Sequence, residues 1–234
     1  VVTMPIFFIV FASFSLDSSL TNFHDSIISY TSETFKLVFY TAIITLLLAV
    51  PAAWIVTHYE LKLKTIIDIL LVLPLSIPCY IMAFTYADLL GFNGYVDVFL
   101  SNIFNTRITF DVITIEWLSV FLALALYPYV YTTSRISFSL TGTTYLDLAK
   151  SLGMPSIIRL FKVSLPLSLS GIFSGLLLVV MEILNEYGAV NYFGIETFSV
   201  GIFKYWFSMD NKGLAILFSL FLLLIIFAIL RIST

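Results

Sequence analysis

Five charge-free, mostly apolar runs dominate this sequence: Leu37 to Thr57, Ile69 to Ala87, Trp117 to Ser134, Val163 to Met181 and Gly213 to Leu230. Each approaches the roughly 20 residues that a helix needs to cross a bilayer core about 30 Å thick. A sixth run, Val1 to Leu16, is shorter. It is expected to be a spanning helix whose beginning lies outside the sequence. A secretory signal would place basic residues before such a run and a small-residue cleavage site after it, and neither is present. Barrel strands would alternate apolar and polar residues, whereas Leu214 to Leu230 is apolar almost throughout. The composition agrees: 60% of residues are hydrophobic and 11% charged, against about 25% charged in an ordinary soluble domain. Cys79 has no partner for a disulfide, and a net charge of −3 argues against binding nucleic acid. The expected fold is all-α, with six transmembrane helices.

Lysine and arginine in the loops orient such a bundle. With the amino end in the cytoplasm, the inner side receives Lys62, Lys64, Arg135, Lys150, Arg159, Lys162 and Arg231. The outer side keeps Lys36, Arg107, Lys204 and Lys212. Both ends of the chain are therefore expected in the cytoplasm, with outer connections at Ser18 to Thr34 and Asp88 to Glu116.

The inner segment Ser137 to Pro166 carries the most local information. Thr144 can cap a helix that runs through Asp147 and Leu148 to Leu152. Gly153 supplies the left-handed residue that ends many helices, and Pro155 can open a second helix, Ser156 to Lys162. Two short amphipathic helices hinged at a glycine follow. Such a pair either lies on lipid, with Lys150, Arg159 and Lys162 facing head groups, or fits a groove in a cytoplasmic partner.

The spacing resembles that of bacterial ABC importer permeases, whose cytoplasmic motif reads E-A-A-x(3)-G-x(9)-I-x-L-P. Asp147, Leu148 and Ala149 stand at the first three positions, Gly153 at the glycine, Val163 at the isoleucine, and Leu165 and Pro166 at the end. Asp for Glu and Val for Ile are conservative departures; Leu148 for Ala is less so. Leu73 to Pro78, with Tyr80, Ala83 and Phe84, is similar to the third span of the ferric-iron branch. So is Met181 to Gly188, continuing through Tyr192, Phe193, Gly194, Thr197 and Phe198, although Asn185, Glu186 and Tyr187 depart from that branch's pattern.

The resemblance spans essentially all of residues 1–234 and implies one permease domain, the first half of a longer duplicated chain cut at both ends. It further implies a multi-pass protein of the bacterial inner membrane that pairs with a second permease half. An external solute-binding protein would deliver substrate, ferric iron first among the candidates, with thiamine, a polyamine or an oxyanion as alternatives. A cytoplasmic ABC ATPase dimer would grip the loop between spans four and five. This loop would act as a coupling helix through Asp147, Leu148, Ala149, Gly153, Val163, Leu165 and Pro166. An ATP-independent transporter or a membrane scaffold is the competing class.

The chain lacks a glycine-rich phosphate loop, a metalloprotease motif and a nucleophile motif. No enzymatic chemistry and no bound cofactor are expected, so a partner must hydrolyse the ATP. Prolines 51, 74, 78 and 128 fall within apolar runs. Pro74 and Pro78, one turn apart, should bend the third span, and either line the permeation path or serve packing. Gly171 and Gly175 form a small-residue face on the fifth span, suited to close helix contact or to seating the two halves. Glu182 and Glu186 lie one turn apart at that span's outer end. They form either an acidic lip suited to a hard cation, or interfacial carboxylates bonded to backbone or to a lysine. His24 and His58 are too distant in the sequence to suggest a metal site, and His58 is expected to close the inner end of its span.

Overall fold

The structure is a computed structural model that describes residues 20–104, 111–140 and 143–233, with side chains for 27–103, 111–140 and 145–231. The run Val1 to Leu16 lies outside the described residues. Among those described, every regular element is helical. Four helices are long and apolar enough to cross a membrane, and a fifth candidate is a pair bent by 96°. The five interior runs of the sequence thus each find their helix or broken helix.

The first helix, α1 (Leu20–His58), has 39 residues. At about 1.5 Å per residue it far exceeds one bilayer core. The connection expected at Ser18 to Thr34 is accordingly helical from Leu20 onward. Its periodicity explains the extension: Tyr30, Thr34, Leu37, Thr41, Thr45, Ala49 and Ala53 form a buried stripe. Phe35, Phe39, Ile43 and Leu47 form an exposed stripe of the type that faces lipid. Pro51 sits inside the continuous helix, as does Pro128 in the later helix Ile115–Leu140.

The third run does more than bend. Helix α2 (Lys64–Val72) tightens into a 3₁₀ turn over Leu73–Ser76 and ends before α3 (Cys79–Leu90) begins. Pro78 disfavours helical geometry at the residue before it, and Ile77 is extended, with φ −109° and ψ 125°. Pro78 then opens α3, its carbonyl accepting from Ile81 and Met82. After α3 come α4 (Tyr95–Phe104) and α5 (Ile115–Leu140).

The chain divides into two compact units. One holds the described parts of Val1–Phe39, Ala83–Leu118 and Met181–Thr234; the other holds Tyr40–Met82 and Ser119–Val180. In the first, Phe218 is fully buried on α11 (Lys212–Ser233), its ring edge-on to Tyr30 at 4.8 Å and 5.2 Å from Tyr205. Gly201, on α10 (Phe198–Phe203), approaches these rings so closely that a Cβ there would lie 2.9 Å from Tyr30.

In the second unit Phe138 and Tyr131 on α5 are buried. Helix α8 (Leu165–Asn185) lays its glycines against α5. A Cβ at Gly175 would stand 2.8 Å from the Val130 Cα, and one at Gly171 would stand 2.8 Å from the Ser137 Cβ. The small-residue face therefore seats two helices of this same chain. Without a hydrophobic drive between helices in lipid, such backbone approach is what holds them together. Gly175→Ala should cost about 1–3 kcal/mol through overpacking against backbone that cannot swing away. A lowered midpoint of thermal aggregation in detergent would report the loss, with exposed Ser174→Ala as the unchanged control.

Candidate coupling site

The inner segment folds around one left-handed residue. Helix α6 (Thr143–Ser151) begins at Thr143, so Thr144 lies within the first turn rather than before it; its side chain is outside the described set. At the other end Gly153 has φ +75°. Its N–H bonds the Lys150 carbonyl at 2.9 Å, and the Met154 N–H reaches back to Ala149 at 3.0 Å. These paired bonds satisfy the last carbonyls of α6 in a Schellman motif. A Cβ at Gly153 would meet nothing within 4 Å, so the position demands glycine for conformation and not for space.

Beyond Gly153 the chain differs from the expected pair of separate helices. Pro155 is the N-cap of α7 (Ser156–Arg159), one place earlier than the first helical position expected for it. Helix α7 passes without a break through a π-helical turn, Leu160–Ser164, into α8. The cause is Pro166, whose missing N–H cannot bond the Lys162 carbonyl. The ladder slips by one residue, and the Leu165 N–H bonds Leu160, five residues back. The second short helix is thus the end of the fifth span itself.

Burial sorts the motif residues by role. Leu146 and Ala149, three apart on α6, are buried, so Ala149 packs inward against this chain and offers no surface for a partner. Asp147 and Pro166 are exposed, while Val163 and Leu165 are half-buried. Leu148, Leu152, Ile157 and Phe161 are 57%, 77%, 72% and 63% exposed. Two of these exposed apolar side chains precede the glycine joint and two follow it; the four are termed the apolar ridge. Phe161 is an addition that the motif alone did not single out.

The other candidate residues are more dispersed. Pro74 is half-buried and Pro78 exposed at the break between α2 and α3. Glu182 is exposed on α8. Glu186 accepts a bond of 2.9 Å from the Ala189 N–H, capping α9 (Gly188–Tyr192), and its carbonyl accepts from the Ser199 hydroxyl at 2.7 Å. His58 closes α1 with its Nδ1 3.2 Å from the Trp54 carbonyl, its ring lying 3.6 Å from the Trp54 ring. The His24 side chain lies outside the described set.

Two polar clusters escaped the sequence reading. In the second unit, Asp68 accepts from the Tyr131 hydroxyl at 2.6 Å and pairs with Arg135 at 2.7 Å, tying α2 to α5. The available signal was an acidic residue at the mouth of one apolar run and an arginine at the mouth of another. In the first unit, Lys204 pairs with Glu196 at 2.8 Å, and its ammonium lies 3.4 Å from the Tyr30 hydroxyl. The bond to Glu196 raises the Lys204 pKa above the ordinary lysine value. The stabilisation is therefore present through neutral pH and is lost as pH climbs past the lysine range. Both partners are over a third exposed, so the pair is worth at most about 1 kcal/mol. Asp68→Asn should cost more, about 1–3 kcal/mol, because it keeps one oxygen acceptor but replaces the other with an amide NH2 and removes the charge paired with Arg135. A fall in the unfolding midpoint larger than that of Glu196→Gln is the expected result.

Comparison with known proteins returns one family over most of the chain. The family described as the binding-protein-dependent transport system inner membrane component matches residues 45–234. The sulfate transport system permease protein CysT of Salmonella typhimurium is 31% identical over 140 residues, covering 59% of this chain and 48% of that protein. The Fe(3+)-transport system permease protein FbpB 2 of Haemophilus influenzae is 27% identical over 187 residues, covering 80% of this chain and 33% of that protein. This chain thus spans half or less of the length of these relatives. Among solved structures, a chain of a bacterial alginate ABC transporter, in complex with its alginate-bound periplasmic protein, superposes with a TM-score of 0.81 at 15% identity. That match covers 98% of this chain and 86% of the other, and it shows the fold.

Proposed function

This chain belongs to the family of binding-protein-dependent transport inner-membrane components, and from that premise we propose that it is the permease subunit of an ATP-driven importer. The observation that carries the mechanism is the apolar ridge of Leu148, Leu152, Ile157 and Phe161, held out around Gly153. Exposed leucines and aromatics on a short helix fit an apolar groove in a partner. A cytoplasmic ABC ATPase dimer is that partner. Its closure on nucleotide pushes the ridge, and the push enters the membrane along α7 and α8 because no flexible loop separates them. An external solute-binding protein supplies the substrate, and a second permease half completes the path. The chain itself performs no covalent chemistry. The positive loops put both ends of the chain in the cytoplasm.

The substrate is an inorganic ion. The sulfate relative, at 31% identity, supports a tetrahedral oxyanion as the first reading. Ferric iron is the second, supported by the iron relative's match over 80% of this chain and by the Glu182–Glu186 pair near the outer end of α8.

Gly153→Asp should abolish both uptake and co-purification of the ATPase while leaving membrane insertion intact; normal uptake would contradict the coupling role. Leu148→Glu combined with Ile157→Glu should weaken the association without changing the backbone. For the substrate, uptake of radiolabelled sulfate and ferric iron should be compared with the matching binding protein present. Glu182→Gln with Glu186→Gln slows iron entry if iron is carried, and leaves sulfate entry unchanged.

A further inference from the structure

Two cavities in the second unit lie beside the coupling segment and share the walls Trp54, Tyr59 and Ser156. The first, about 440 Å³, is lined by His58, Asp147, Lys150 and Arg159. Its cations outnumber its carboxylate, and among the described residues neither Lys150 nor Arg159 is paired with an acid. Arg159 donates from Nη2 to the Ser156 hydroxyl at 2.8 Å, while its Nε is buried and has no acceptor. A guanidinium N–H left unbonded in the interior is costly, and an ionised oxygen is the acceptor that suits it best. The second cavity, about 560 Å³, is walled largely by carbon, from Pro51, Ile55, Leu61, Ile157 and Leu160. Glu60 also stands on that wall, which confines any anionic group to the first cavity.

A basic polar chamber joined to an apolar one, on a chain that crosses a membrane, has the two-part chemistry of a lipid. We infer that the pair binds one anionic phospholipid, its phosphate held by Lys150 and Arg159 and an acyl chain lying against Ile55, Leu61 and Leu160. Basic pockets among spanning helices hold anionic head groups by the same attraction. Because Lys150 is on α6 and Arg159 is on α7, the head group would brace both sides of the Gly153 joint.

Native mass spectrometry of the delipidated full-length protein, alone and assembled with its partner subunits, tests this directly. Phosphatidylglycerol should be retained as a single adduct in preference to phosphatidylcholine with the same chains. Lys150→Gln with Arg159→Gln should weaken it about thirtyfold, the scale expected for two lost cationic contacts. Leu160→Trp, which fills the apolar chamber and leaves every charge in place, should weaken it as well and stands alone if the double variant does not fold. Lys36→Gln with Lys212→Gln, the same charge change elsewhere, should have no effect. Equal retention of both lipids, or equal loss in the control variant, would overturn the proposal. Displacement by inorganic phosphate with no effect of Leu160→Trp would mark a free-anion site instead. An adduct seen on the chain alone but absent from the assembled transporter would assign the cavities to the partner interface, and the lipid site would fall.

Discussion

Backbone contact between α8 and α5 at Gly171 and Gly175 is the constraint on which the second unit rests. In lipid, helices gain nothing from hiding apolar surface from one another, so their association depends on how closely their backbones can pack. At Gly175 the neighbour is the main chain of Val130, which no rotamer change can move aside. The same helix, followed back through the π turn at Leu160–Ser164, carries Ile157 and Phe161 on the exposed ridge. The segment that bears these residues is thus continuous with a helix close-packed against α5.

Proline placement explains why that helix is stiff and another is broken. Pro166 falls in the first turn of α8, and a register slip absorbs its missing donor while the axis continues. Pro78 has Pro74 one turn before it, and the chain between them leaves helical geometry at Ile77. At the start of α8 the lost donor is bridged by a five-residue bond. At Pro78 the residue before the proline leaves helical geometry, and the 3₁₀ turn and the extended residue fill the gap. Pro51 and Pro128 each forgo one ladder bond, yet the helices that hold them continue.

The two ion-pair clusters secure separate parts of the chain by different means. Asp68, Tyr131 and Arg135 join α2, half of the broken span, to a buried face of α5, so the break does not leave α2 unanchored. Tyr30, Glu196 and Lys204 join the start of α1 to the segment around α10, where Thr34 also accepts from the Phe198 N–H at 3.2 Å. Glu186, read from the sequence as a candidate for the substrate route, lends its carboxylate to the first turn of α9. A side chain that caps a helix can still border a path, which is why the paired glutamine substitutions are read against two cargoes.

The helical class, the positions of the five interior runs and the glycine joint were all legible in the sequence, because each depends on composition or on spacing along one strand of chain. Apolar length dictates helix in a medium that cannot solvate backbone, and a glycine after an amphipathic stretch signals the left-handed stop. Tertiary structure decided what depends on neighbours distant in sequence. It turned Ala149 inward while leaving Leu148 outward, matched Asp68 with Tyr131 and Arg135, set Gly175 on Val130, and fused the second short helix to the fifth span. Periodicity assigns a residue to a face, but only packing determines which face is covered and by what.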